Sequence, residues 1–141
     1  MTLHEGIALF LERGTAMQTF WGFYITVAIG LVALFANIKR SPRLPYLAAL
    51  VSLGFIGFAW VNGDGITAIA KQREFFYGLL DQASSKTAAE IPILAGTIAQ
   101  FKSISEPPTH QSVLYFHIGA DIAVLVAIWA LTLWRPEAKE D

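Results

Sequence analysis

Uncharged apolar blocks, separated by charged or turn-forming residues, set the pattern of this chain. Residues 16–38 and 44–61 carry no Asp, Glu, Lys or Arg, and residues 113–134 are interrupted only by His117 and Asp121. Crossing about 30 Å of hydrocarbon takes roughly 17–25 apolar residues in a helix. A helix is the form such a block takes in lipid, because all its backbone hydrogen bonds close within the segment. The pattern therefore predicts an all-α integral membrane protein with three transmembrane helices, 16–38, 44–61 and 113–134, forming one membrane domain over residues 1–141.

Local signals agree with these limits. Thr15 and Gln18 have capping-box spacing before the first block, with Gly14 ahead of them. Ser41 and Pro42 suit the N-cap and first helical position of the second. Asn62, Gly63, Asp64 and Gly65 read as a breaker after it. Glu106, Pro107, Pro108 and Thr109 set up entry to the third block, and Arg135 with Pro136 closes it. Trp60 and Tyr115 fall at one rim, Tyr46 and Trp134 at the other, as expected of aromatic anchors at headgroup level.

Between the blocks the period becomes amphipathic. Thr2 and Glu5 make another capping box and Gly14 a stop, so residues 3–13 are expected to form a short interfacial helix with Leu3, Ile7, Phe10 and Leu11 on one face. In the long connection, Ile66, Ile69, Phe76, Leu80 and Ala83 share helical spacing, as do Ile91, Leu94, Ala95, Ile98 and Phe101. Ser84 and Ser85 divide them, and Thr87 with Glu90 offers a cap to the second, near Pro92. An external helical hairpin over 66–101 is the expected form, lying in the interface or packed on itself.

Composition narrows the classes of function. A hydrophobic fraction of 55% and a mean hydropathy of +0.51 suit a bilayer, and a net charge of −1 gives no basic field for nucleic acid. The lack of cysteine removes disulfides, thiolate metal sites and cysteine nucleophiles. Met1 to Glu5 lacks the positive start of a signal peptide, so the first block is expected to be retained. Lys39, Arg40, Arg43, Arg135 and Lys139 fall on one side; Arg13, Lys71, Arg73, Lys86 and Lys102 fall on the other. The first set is concentrated beside helix ends, which predicts an outside N-terminus and a cytoplasmic C-terminus in a bacterial inner (plasma) membrane.

Two groups of residues carry candidate roles. Gly22, Thr26, Gly30 and Ala33 line one stripe, Gly119, Ala123, Ala127 and Ala130 another, and Gly54 and Gly57 thin the second block. Small residues let helices approach closely in lipid, so these are expected contact faces, within the chain or with another subunit. Asp121 lies eight residues past Val113, about 12 Å into the block, with His117 one turn earlier. An intramembrane carboxylate costs a few kcal/mol on insertion scales. Tyr24, Thr26 and Ser52 count to similar depth. The set reads as a proton or cation site centred on Asp121 and His117, or as a hydrogen-bonded tie between helices.

Other chemistry is thinly represented. Haem b between helices needs two facing histidines, and His117 has only His110 on its own helix or the surface His4 to offer, so neither haem nor a metal is expected. Asp64 reads as a turn residue rather than a calcium ligand. Gln18, Trp21, Tyr24 and Trp60 suit rim anchors or a lipid or quinone groove, and bound lipid is compatible with them. No phosphate loop, nucleophile elbow or dinucleotide fingerprint occurs, so no enzyme is expected. The expectation is a small non-enzymatic subunit, partnered by the bilayer and by copies of itself or other membrane subunits. The alternatives are a homo-oligomeric ion or proton channel using Asp121, and a lipid- or quinone-binding anchor of a redox complex.

Overall fold

The computed structural model describes residues 3–90, 96, 99, 100, 102, 103 and 105–134. Three helices have bounds among the described residues: α1 (Leu3–Asn37), α2 (Leu44–Glu90) and α3 (His110–Leu133). All three are long and apolar enough to cross a membrane, and the described residues contain no strand. The chain is thus an all-helical small membrane protein.

The polar starts act as the sequence suggests. Ser41 Oγ accepts from Arg43 N at 3.2 Å, and Leu44 N donates to Ser41 O at 2.9 Å, opening α2. Thr109 Oγ1 accepts from Ser112 N at 3.2 Å, capping α3 behind Pro107 and Pro108. The third helix begins at His110, three residues before the apolar block, while Arg135 and Pro136 lie outside the described residues.

Three expected breaks are absent. Residues 3–13 are the first turns of α1 and not a separate helix; α2 runs through Asn62–Gly65 and through Ser84 and Ser85. Hydroxyls at these places, Thr15 of the expected capping box among them, bond backwards instead. Thr15 Oγ1 donates to Leu11 O at 3.3 Å, Thr19 Oγ1 to Thr15 O at 3.1 Å, and Ser85 Oγ to Asp81 O at 3.0 Å, all one turn back in a continuous helix. Gly14, Gly63 and Gly65 keep ordinary negative φ. Gly63 and Gly65 serve close approach: a Cβ would lie 2.8 Å from His117 Cδ2 at the first and 2.8 Å from Phe20 Cε1 at the second. As the second arm of the expected hairpin, Ile91, Leu94, Ala95, Ile98 and Phe101 lie outside the described residues.

The contacts divide the chain into two compact units: Met1–Thr19 with Ile66–Leu114, and Phe20–Gly65 with Tyr115–Asp141. In the second unit, Tyr24, Ala28, Phe55 and Ala59 form one buried cluster, joined by Phe58, Ala120 and Val124; Phe35, Leu44, Ala48 and Ile128 form another. Buried positions 44, 48, 52, 55, 59 and 62 of α2 here advance by threes and fours, with Gly63 buried beside the last, the seam of left-handed helix packing. In the first unit, Phe10 is buried beside Tyr77, at 6.3 Å between ring centres, and the Arg73 guanidinium lies 4.7 Å over the Phe10 ring. Lys102 pairs with Asp81, and Tyr77 donates to Lys102 O at 3.2 Å. Glu74 accepts from the His110 backbone N–H and lies 2.8 Å from His110 Nδ1, holding a carboxylate against the N-terminus of α3.

Candidate functional site

The second unit gathers Tyr24 from α1, Asn62 from α2, and His117 and Asp121 from α3 into one polar cluster. Each is placed by its helix. Tyr24 belongs to the buried row of α1, and its ring packs edge-on against His117 at 4.6 Å. Asn62 ends the α2 seam. His117 and Asp121 are one turn apart on α3 and so share a face.

Tyr24 Oη donates to Asp121 Oδ1 at 2.8 Å. His117 Nδ1 lies 3.4 Å from the same oxygen, within ion-pair range but without hydrogen-bond geometry. On the other side of the ring, Nε2 lies 3.5 Å from Asn62 Nδ2. An amide nitrogen only donates, so with Asn62 in this orientation Nε2 accepts and the ring proton sits on Nδ1, facing the carboxylate. His117 is 2% exposed; the Asp121 side chain is 21% exposed. The imidazole is further enclosed by Trp21, at 5.5 Å between ring centres. The arrangement can do two things chemically. It can tie α1 to α3 through the Asp121 carboxylate, with Asn62 of α2 against His117, or hold a mobile proton among Asp121, His117 and Tyr24.

The structure thus brings together three of the five polar residues singled out in the sequence. Thr26 is exposed and donates to Gly22 O at 2.8 Å along its own helix. Ser52 is buried, its hydroxyl without a partner. Asn62 was missed because Asn-Gly-Asp-Gly reads as a turn; its position at the end of a three-and-four row of buried residues is the signal that reveals it.

The small-residue stripes are not where these helices meet. A Cβ on Gly22, Gly30, Gly54, Gly57 or Gly119 would have nothing within 4 Å. Thr26, Ala33 and Ala123 are exposed, and Ala127 and Ala130 half-buried. The intrachain contacts use aromatic and branched side chains instead, as where Tyr24 stacks on Phe58 at 6.3 Å. Of the rim aromatics, Trp21 turns inward onto Tyr24, Phe116 and His117, while Trp60 is 79% exposed; Gln18 is exposed. No group of three or more potential metal ligands occurs among the described residues. Compared with known protein families, curated proteins and solved structures, the chain matches none.

Proposed function

We propose that this chain is a non-enzymatic membrane subunit that acts by associating with copies of itself or with another membrane protein. The observation that carries the reading is how little of each spanning helix its own chain covers. Only 17%, 28% and 17% of the most apolar stretches of α1, α2 and α3 are buried. The uncovered surface includes Gly22 and Gly30, which leave room for the close backbone approach that drives helix association in lipid. The polar cluster fits the same reading as an internal tie, since Tyr24 and His117 face the Asp121 carboxylate from within the chain.

Mass in mild detergent tests this directly, together with cross-linking through a cysteine at Gly30, which is easily interpreted in a cysteine-free chain. An oligomer or a co-purifying chain that is lost in Gly30→Leu is the expected result. A monomer with no companion chain and no cross-link in native membranes would overturn it. The reading includes a bacterial inner membrane and a cytoplasmic Lys39–Arg43 turn, from the concentrated positive charge there. An impermeant thiol reagent added outside should then label a cysteine at Ser85 but not one at Ser41; the reverse pattern inverts the topology.

A second reading rests on the cluster itself. Two ionisable groups 3.4 Å apart, inside a helix of the membrane type, are suited to binding a proton or cation in an oligomeric conductor. Proton or cation flux in reconstituted vesicles that disappears in an assembled Asp121→Asn variant would establish it. Absence of flux in the wild type across pH and voltage would dismiss it.

A further inference from the structure

A second place on the molecule collects charge and apolar surface in a way that neither reading uses. In the first unit, Arg13, Lys71, Gln72, Phe75 and Phe76 line an open groove of about 440 Å³. Two side chains bring positive charge, one brings an amide donor, and two rings supply apolar walls. Phe75 is 62% exposed, so its ring has little cover from the chain.

Arg13 is poorly answered by acids among the described residues. Its guanidinium comes within 3.9 Å of Glu12, and its Nε is buried without a hydrogen-bond partner. Beside the groove, Arg73 leans on Phe10 and on Met17 Sδ at 3.8 Å, and its Nε is also buried and unpartnered. Glu74, whose charge Lys71 feels, is hydrogen-bonded by His110. A guanidinium held to its acid at only 3.9 Å, an ammonium and adjoining aromatic walls suit an anionic amphiphile, and a phosphate oxygen is the acceptor best matched to such donors.

The source of that phosphate follows from where the groove lies along the chain. Arg13 is the last charge before the uncharged run 14–38, and Lys71 is the first cation after the apolar block 44–61 of α2, seven residues past Asp64. Both stand within their helices at the charged border of an apolar run, where long cationic side chains reach toward the headgroup layer. We propose that this groove binds the phosphate headgroup of an anionic phospholipid, with Arg13 and Lys71 on the phosphate and Phe75 and Phe76 against the upper acyl or glycerol carbons.

The test compares thermal stability of the detergent-solubilised full chain with added phosphatidylglycerol, phosphatidylcholine or inorganic phosphate. The expected result is a rise in Tm with phosphatidylglycerol alone. That shift should be lost in Arg13→Gln/Lys71→Gln, survive in Arg13→Lys, which keeps the charge, and survive in Lys39→Gln/Arg43→Gln, which removes charge elsewhere. Equal shifts with phosphatidylcholine, or a full shift in Arg13→Gln/Lys71→Gln, would overturn the proposal. So would reproduction of the shift by inorganic phosphate, which would make the groove a free-anion site. Native mass of each variant with retained phosphatidylglycerol gives a second readout if a variant loses stability for other reasons.

Discussion

Replacing Gly63 with alanine adds one methyl group and tests the packing at the polar cluster. That methyl carbon would sit 2.8 Å from His117 Cδ2 and 3.0 Å from Nε2. Ordinary contact begins near 3.4 Å, so the overlap is 3.4 − 2.8, or 0.6 Å. His117 has little freedom to retreat. It is 2% exposed and enclosed by Tyr24, Trp21 and Asn62. Overpacking of this kind costs about 1–3 kcal/mol, against which alanine recovers up to about 1 kcal/mol of helix propensity. Gly63→Ala should therefore destabilise by about 1–2 kcal/mol. Two controls grade the effect. Gly65→Ala meets the far edge of Phe20, also at 2.8 Å, but that ring is 37% exposed and can swing aside, so the change should be near neutral. Gly57→Ala meets open space and should be neutral or slightly stabilising. Unfolding by SDS in mixed micelles, followed by tryptophan fluorescence, suits the measurement because Trp21 packs on His117. Truncating His117 to alanine should remove most of the Gly63→Ala penalty, a coupling expected only if the two residues touch. Equal stability of Gly63→Ala and Gly57→Ala would refute the close approach and with it the reason α2 continues through this segment.

Tyr24→Phe removes the hydroxyl that donates to Asp121 at 2.8 Å while keeping the ring. The expected loss is about 0.6–1.7 kcal/mol, the range for hydrogen bonds between membrane helices, and Tyr46→Phe, at an exposed position, should change nothing in the same unfolding assay. Glu74 accepts from the His110 backbone N–H and lies 2.8 Å from His110 Nδ1, so the contact should weaken once acid protonates the carboxylate. Being about one-third exposed, the contact should be worth under about 1 kcal/mol. The Tm gap between wild type and Glu74→Gln should be present at pH 7 and close towards pH 3; a gap that widens in acid would contradict the assignment.

The class of the spanning helices and the apolar part of each were legible in the sequence because charge is costly in hydrocarbon wherever it sits, whereas α1 and α2 run well beyond those parts. Uncharged runs at 16–38, 44–61 and 113–134 therefore mark the apolar parts of α1, α2 and α3 without reference to any partner. Ser41 and Thr109 were legible as helix starts for the same local reason, since a cap needs only its own first turn. What the sequence could not convey was which face of each apolar helix turns inward. In a block where both faces are apolar, Gly22 and Gly30 are as eligible as Tyr24 and Ala28; the tertiary structure buries the latter and leaves the glycines open. It also decides what a glycine is for. Gly63 and Gly65 look like a turn because their lack of a side chain permits one, yet their role is set by His117, 54 residues from Gly63, and by Phe20, 45 residues from Gly65, through numbering differences of 117 − 63 and 65 − 20. Backbone freedom is a property of the residue, whereas close approach is a property of the pair, and only the folded chain supplies the second member.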